Sequence, residues 1–378
     1  MHAATSRGNL AWILFAALAL AACGGGDDDD DDTVHGDGDA DADTDGDADG
    51  DGDGDADGDG DADDTACEAT SPRSVELEVD VLPEAGDTRF VAFLEGAESS
   101  IRLMIYQLGW TSEYVDILIE KAQAGVDVAV IMHDPEGSLS ADNQDAQDQM
   151  VADLEAAGVQ FRYQPAEFSD EYDFYHVKTA VVDEAHAWIS TGNLVPYFME
   201  RERNLDVWDD DPQDIADILE VFDADFAERT PDLTCTRLIV SPDNAKERLL
   251  ALIDSAEESL YIQSMQFKDD DVRDAVAARA EAGVDVRVLL ADPGWISDNL
   301  DAADFLAQHG VTARYESYPD AHIKMILVDG ATAYAGSVNL SWNSLTNNRE
   351  IGVLLWDDAA IGAIADMFDG DWADGTEF

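Results

Sequence analysis

HVKTAVVDEAHAWISTGNL, residues 176–194, returns further along the chain as HIKMILVDGATAYAGSVNL, residues 322–340. Each copy reads as two β-strands joined by a short polar turn, at Glu184 in the first and Gly330 in the second. Working outward, AESSIRLMIYQLG (97–109) returns as AEESLYIQSMQFK (256–268), AGVDVAVIMHDP (124–135) as AGVDVRVLLADP (282–293), and GVQFRY (158–163) as GVTARY (310–315). The offset falls from 159 residues at Ala97 to 152 at Gly158 and 146 at His176, so the first copy carries two short insertions, one after Pro135 and one before His176. Apolar runs rich in Val, Ile and Leu alternate with helix-like runs that close on Ala-Gly, which predicts α/β units with buried sheets. A repeat of this length and complexity is a duplicated domain and not a solenoid. The expected fold is α/β, with two lobes at 72–232 and 233–378 related by a pseudo-twofold axis. Each lobe is expected to be a mixed sheet flanked by helices, with the active site at the lobe interface.

In a strand, residues i and i+2 share a face, so His176 projects with Lys178 and His322 with Lys324. An imidazole and an ammonium facing one space form an anion site with a proton-transfer group beside it. Asp183 and Asp329 stand five residues after each lysine. The chain has only five lysines and seven histidines, so two matches in the same register make coincidence a poor explanation. Ten residues beyond each Asp comes an asparagine, Asn193 in Ser190-Thr191-Gly192-Asn193 and Asn339 in Gly336-Ser337-Val338-Asn339. Their amides, with the hydroxyls of Thr191 and Ser337, suit hydrogen bonding to phosphoryl oxygens.

H-x-K-x4-D followed by G-S-x-N, present twice, resembles the phospholipase D superfamily, and the resemblance covers the whole folded region of about 310 residues. The first copy departs from it in having Ser190-Thr191 where the second has Gly336-Ser337. The resemblance implies two phospholipase D-like lobes and a phosphodiesterase working through a covalent phosphohistidine. One histidine attacks phosphorus, and the other protonates the leaving alcohol and then activates water or an acceptor alcohol. Lys178, Lys324, Asn193 and Asn339 would surround the non-bridging oxygens. No metal or other cofactor is implied. The family order makes His176 the nucleophile and His322 the general acid, although pseudo-symmetry leaves that order open. Asp183 and Asp329 belong to the catalytic motif, while their strand position suggests that they fix the local backbone. Glu350, in Asn347-Asn348-Arg349-Glu350, matches a family position whose carboxylate orients a catalytic imidazole. The aligned residue of the first copy is Asn204, which leaves Asp206 as the nearest acidic candidate for that task. His133, which aligns with Ala291, and His186 and His309, which lack a matching lysine, are read as surface or packing residues. Trp110, Trp295 and Trp342 either line a headgroup pocket or pack the lobes together.

Residues 1–23 carry one Arg, an apolar run from Leu10 to Leu20, and small residues ending at Cys23. This reads as an export signal, and Leu20-Ala21-Ala22-Cys23 resembles the bacterial lipoprotein processing box, in which the cysteine is lipidated. Residues 24–66 form a linker dominated by Asp, Gly and Ala. It has almost no apolar side chains larger than alanine to offset ordering entropy and is expected to be an extended tether. Its D-x-D-G texture is like that of calcium loops, but the bidentate Glu and flanking helices are missing. Only 21 of the 85 acidic residues lie between Asp27 and Asp64, so the folded part is strongly acidic against 20 basic residues. A field of that sign opposes non-specific nucleic-acid binding. If Cys23 is acylated, Cys67 and Cys235 remain as one disulfide pair or as two thiols.

The leading expectation is hydrolysis of a phospholipid phosphodiester by a monomeric enzyme held by lipid to the bacterial cell envelope, at the outer membrane or cell surface. Phosphatidyl transfer of the cardiolipin synthase type uses the same intermediate and stands as the alternative, with a nuclease disfavoured by the acidity. A non-catalytic surface lipoprotein would have no need of both His-Lys pairs, and both are intact.

Overall fold

The computed structural model describes residues 73–135, 139–169 and 173–378, so the signal segment, the acidic linker, Cys23 and Cys67 lie outside the described residues. Two eight-stranded mixed sheets carry the fold. The first contains β1 (Glu78–Leu82), β2 (Ser100–Ile105), β3 (Asp127–Met132), β4 (Gln160–Tyr163), β5 (Lys178–Val182), β6 (His186–Ser190) and β7 (Glu202–Asp209), in the order β1-β7-β6-β5-β2-β3-β4. The second contains β8 (Ile239–Ser241), β9 (Ser259–Ser264), β10 (Asp285–Ala291), β11 (Thr312–Glu316), β13 (Lys324–Val328), β14 (Thr332–Gly336), β15 (Glu350–Leu355) and β16 (Thr376–Glu377), in the order β16-β11-β10-β9-β13-β14-β15-β8. The remaining strand, β12 (Asp320–Ala321), comes from the second half of the chain and pairs with β7 of the first sheet. β2, β3 and β4 run parallel, as do β9, β10 and β11, and the paired strands of the repeated motif add antiparallel to β2 and β9. The sheet order is thus the same in both halves, as a duplication requires.

Local sequence sets the crossovers. The helix Glu113–Ala124 joins β2 to β3 and ends at Gly125 with φ 96°, while Asp270–Glu281 joins β9 to β10 and is followed by Gly283 with φ 95°. Glycine adopts this left-handed conformation without a Cβ penalty, which is why both helices close on Ala-Gly. Asp269 caps the second of these helices by accepting from the N–H of Val272 at 3.1 Å.

All five residues of β5 and of β13 are buried, because both faces of each sheet are covered. Their side chains still alternate. Val181 and, in the other lobe, Met325 and Leu327 join one cluster between the sheets, whereas Ala180 and Val182, and Ile326 and Val328, face the outer helices. The inner cluster also takes in Ile215 and Phe222 of the helix Pro212–Phe226, and Ile364 and Phe368 of the helix Asp358–Asp374. One core therefore belongs to both lobes. Two buried ion pairs cross it: Arg203 of β7 reaches Asp371 of the second inner helix at 2.8 Å, and Arg349 reaches Asp225 of the first at 3.1 Å. Cys235 is disulfide-bonded, and its expected pairing with Cys67 falls on a residue outside the described range. Among the described residues no helix is long and apolar enough to cross a membrane.

Gly336 lies opposite Gly352 in the β14–β15 pair, and a Cβ on Gly336 would come within 2.3 Å of Gly352 Cα and 2.7 Å of the Ile351 carbonyl oxygen. Both are backbone atoms of a neighbouring strand and cannot swing aside. Gly336→Ala is expected to destabilise the protein by about 3 kcal/mol or more. Gly362→Ala, in an exposed helical position with open space around it, is expected to be neutral or slightly stabilising. Thermal denaturation of the two variants side by side checks the difference.

Candidate active site

Each motif histidine emerges from a segment that is zipped onto the opposite lobe. Tyr175 pairs with Arg349, the N–H of His176 donates to the Arg349 carbonyl at 2.9 Å, and the N–H of Arg349 donates to Phe174 at 2.9 Å. In the other half Ala321 pairs with Arg203, and the N–H of Asp320 donates to Arg201 at 3.1 Å. These pairings bring the two motifs to one site. His176 Nδ1 lies 2.7 Å from Glu350 Oε2, and His322 Nδ1 lies 3.2 Å from Asn204 Oδ1, each contact crossing between lobes.

The lysines are buried beside the histidines. Lys178 Nζ donates to the His176 carbonyl at 2.8 Å and sits 5.1 Å from the centre of the Tyr106 ring. Lys324 Nζ donates to the carbonyls of Thr191, at 3.2 Å, and of His322, and lies 3.2 Å from His322 Nδ1. Burial first, then the charges of Lys178 and Lys324, hold His176 well below the ordinary imidazole range. Burial, Lys324, Lys178 and His176 do the same to His322. Both rings are therefore neutral at neutral pH, the form a nucleophile needs. A phosphodiester anion between the lysines would offset their charge and favour protonation of the ring that acts as acid. Burial pushes Glu350 up to about 7, against the pull of Lys178 and of hydrogen bonds from Asn348, Ser337 and Ser344.

Several expected roles change once the contacts are seen. Asp183 and Asp329 do not reach the reacting groups. They sit at the far ends of β5 and β13 from Lys178 and Lys324, about 16 Å of strand away. Asp183 accepts from the N–H groups of Glu98, Ser99 and Ser100 at 2.6–3.1 Å, and Asp329 from those of Glu257, Glu258 and Ser259 at 2.7–3.0 Å. They tie the hairpin turn to the start of β2 or β9. The hydroxyls expected on phosphate are also committed elsewhere. Thr191 Oγ1 donates to Asn204 Oδ1 at 2.8 Å and accepts from the N–H of Leu205 at 2.9 Å. Ser337 Oγ accepts from the Ile351 N–H at 3.1 Å, and its one proton is shared between the Glu350 carboxyl and the Ile351 carbonyl, which lies 3.3 Å away. Asn193 and Asn339 are buried, and each has an Oδ1 with no hydrogen-bond partner among the described residues; an amide oxygen only accepts, so any contact with phosphoryl oxygens falls to the Nδ2 groups. Asp206 is not the partner of His322. It lies two residues further along β7, about 7 Å away, with its carboxyl toward Ser190 and Trp188.

The carboxylate missing from the sequence expectation is Glu202, whose Oε2 is 3.5 Å from His322 Nδ1. It stands two residues before Asn204, as Asp206 stands two after, so distance along the chain does not choose between them. His133 is also closer to the site than expected: its ring is 4.9 Å from Tyr106, which is itself 4.7 Å from His176. Its position just past the end of β3 was the available signal. His186 pairs on the surface with Asp210 at 2.8 Å, and His309 pairs with Glu281 at 3.2 Å. Trp295 stacks on His322 with centres 6.2 Å apart, Trp110 donates to Gln147 at 3.4 Å, and Trp342 is 56% exposed. Among the described residues no group of three or more His, Cys, Asp or Glu could hold a metal ion.

Two convergent His-Lys motifs on a duplicated mixed-sheet fold define a phospholipase D class of site. A family model described as "Cardiolipin synthase, PLD-like domain" matches residues 90–226 and 249–372, and the chain belongs to that family, within the phospholipase D superfamily. It is 24% identical over 344 residues to cardiolipin synthase 2 of Bacillus anthracis, a match covering 77% of this chain and 64% of that protein. It is 26% identical over 336 residues to the cardiolipin synthase of Geobacillus kaustophilus, covering 75% of this chain and 64% of that one. The chain thus spans less than two thirds of the length of these relatives. Among solved structures, phosphatidylserine synthase of Haemophilus influenzae superposes with a TM-score of 0.63 at 14% identity over 80% of this chain and 87% of that one. Polyphosphate kinase of Porphyromonas gingivalis does so with a TM-score of 0.60 at 17% identity over 78% of this chain and 46% of that one. At these identities the structures speak to the fold alone.

Burial raises the Asp183 carboxyl, but the N–H groups of Ser100, Glu98 and Ser99 outweigh it and hold the group down at about 2. Asp183→Ala is expected to keep turnover and to lose about 1–2 kcal/mol of stability at neutral pH. The folded value lies below the unfolded one of about 3.9, so this contribution is full above about pH 4 and is lost as pH falls toward 2. Denaturation midpoints of wild type and variant should therefore converge over that range.

Proposed function

We propose that the chain transfers a phosphatidyl group from a phospholipid to an alcohol, in the manner of a cardiolipin synthase, through a phosphohistidine on His176. The carrying observation is the 2.7 Å contact between His176 Nδ1 and Glu350 Oε2. It keeps the ring proton on Nδ1 and leaves the Nε2 lone pair for attack on phosphorus. As the P–N bond forms, the P–O bond to the leaving alcohol breaks and His322 supplies the proton. His322 then takes the proton of the acceptor hydroxyl, whose oxygen attacks phosphorus and releases His176. Lys178, Lys324, Asn193 and Asn339 offset the charge on the non-bridging oxygens. Transfer is favoured over the hydrolysis expected at first by the family description and by the cardiolipin synthases among the relatives. Water in place of the alcohol would give hydrolysis by the same steps.

The deciding assay offers phosphatidylglycerol with and without added alcohol acceptor and follows the products. Diphosphatidyl or acceptor-linked lipid is expected; phosphatidic acid alone at all acceptor concentrations would return the enzyme to the hydrolases, and no turnover would end the phosphodiester reading. His176→Ala should abolish turnover and the phosphoenzyme together. His322→Ala should be partly rescued by a p-nitrophenyl ester, whose leaving group departs without a proton. Lys178→Ala and Lys324→Ala should each cost about a hundredfold in rate. We further propose attachment to the cell envelope by lipid at Cys23, motivated by the processing-box pattern and the acidic tether behind it. Fatty-acid labelling that is lost in Cys23→Ala is the expected result, and equal labelling of both proteins would refute it.

A further inference from the structure

The two repeats carry the same pair of side chains in exchanged order, Glu202-Arg203-Asn204 in the first and Asn348-Arg349-Glu350 in the second. The backbone frames match, since each central arginine pairs with an aspartate of an inner helix. In both, the amide donates to the carboxylate: Asn348 Nδ2 to Glu350 Oε1 at 3.0 Å, and Asn204 Nδ2 to Glu202 Oε2 at 3.2 Å. What differs is the group that meets the imidazole. His176 meets a carboxylate oxygen, whereas His322 meets the Asn204 amide oxygen at 3.2 Å, with Glu202 behind it at 3.5 Å.

We propose that Glu202 is a positioning residue that, through Asn204, keeps the resting proton of His322 on Nδ1. An ionised carboxylate only accepts hydrogen bonds, so it draws the NH2 of Asn204 and turns Oδ1 toward the ring. The Thr191 hydroxyl donates to the same oxygen at 2.8 Å and supports that orientation. An amide oxygen can bond Nδ1 only if Nδ1 carries hydrogen. The competitor is Lys324, whose Nζ is 3.2 Å from the same nitrogen and would donate to it if it were bare. With Nδ1 protonated, Nε2 can receive a proton and give it up while the ring cycles between imidazolium and neutral imidazole. With Nδ1 bare, giving up the Nε2 proton would leave an imidazolate. The catalytic consequence rests on the proposed phosphohistidine cycle; the proton's place does not.

The charged groups bearing on this triad are Glu202 from β7, Lys324 from β13, Lys178 from β5, His176, and Asp320 from β12. Burial raises the Glu202 carboxyl, against Asn204 and the two lysines. As pH falls Glu202 gains a proton, ceases to be an obligate acceptor, and the clamp loosens, so activity should decline on the acid side.

The test is nitrogen-15 NMR of histidine-labelled protein, in which protonated and bare ring nitrogens have distinct shifts, on wild type, Glu202→Gln and the double variant Glu202→Asn with Asn204→Glu. Wild-type His322 should show a protonated Nδ1. Glu202→Gln should lose that signature, and the double variant, which rebuilds the order of the second repeat, should regain it. In parallel, Glu202→Gln should lower kcat on a natural phospholipid by roughly ten- to hundredfold with KM little changed. The loss should be smaller on a p-nitrophenyl ester, and the acid limb of the pH profile should disappear. A bare Nδ1 in the wild type, or a Glu202→Gln protein with unchanged shifts and pH profile, would overturn the proposal. If Glu202→Gln does not fold, the wild-type and double-variant spectra decide: a bare Nδ1 in either refutes it. A protonated Nδ1 that depends on Glu202, in a protein that transfers no phosphatidyl group, would uphold the positioning role and refute the proposed activity instead.

Discussion

Each motif histidine is held by the lobe to which it does not belong. The short parallel pairings of Tyr175 with Arg349 and of Ala321 with Arg203 impose this, because they lay the residue before each histidine against the strand that carries the other lobe's orienting side chains. The shared inner core and the two arginine pairs with Asp371 and Asp225 follow from the same constraint, since the lobes must be fixed to within fractions of an ångström for a hydrogen bond of 2.7 Å to form across them. Breaking one partner of such buried pairs is costly even where the pair itself adds little stability.

A site with two buried lysines and two histidines sits inside a chain of formal net charge −65. Local environment decides the chemistry here more than net charge does. Carbonyl oxygens of His176, Thr191 and His322 accept from the ammonium groups, and Glu202 and Glu350 stand close behind, so the positive charge is tolerated without being cancelled. Low local dielectric makes that charge felt strongly by a phosphoryl group that enters. The acidic exterior opposes extended polyanions, which lie along a surface, more than a single phosphodiester group.

Duplication produced two similar half-sites, and they depart from symmetry at the groups that meet the imidazoles. His176 has a carboxylate directly on Nδ1 and packs against Tyr106, whereas His322 has an amide on Nδ1 and stacks on Trp295. A nucleophile gains from a fixed, electron-rich ring, while a group that must both give and take a proton gains from a partner that does not hold the charged form too tightly. In the proposed cycle, the exchanged order of carboxylate and amide meets both demands with the same side chains.

The repeat, the two mixed α/β lobes and the residues His176, Lys178, Asn193, His322, Lys324, Asn339 and Glu350 were all legible in the sequence. Strand period and repeated spacing are local properties, and a motif present twice in register identifies itself. Asp183 and Asp329 belong to the motif, but their strand position pointed to the backbone, and they bind it at the far end of the strand from the lysines. Contacts between distant segments are not local, and there sequence alone did not suffice. Thr191 and Ser337 have the right chemistry for phosphate but are engaged by Asn204, Leu205 and Ile351. Asp206 and Glu202 stand equally close to Asn204 along the chain, whereas Glu202 is the nearer to His322 in space, since β12 pairs with the beginning of β7 and brings His322 there. The sequence by itself determined which strands and which reactive side chains exist; only the tertiary structure decided which carboxylate, amide and hydroxyl face each histidine, because those contacts depend on how two separately legible lobes are registered against each other.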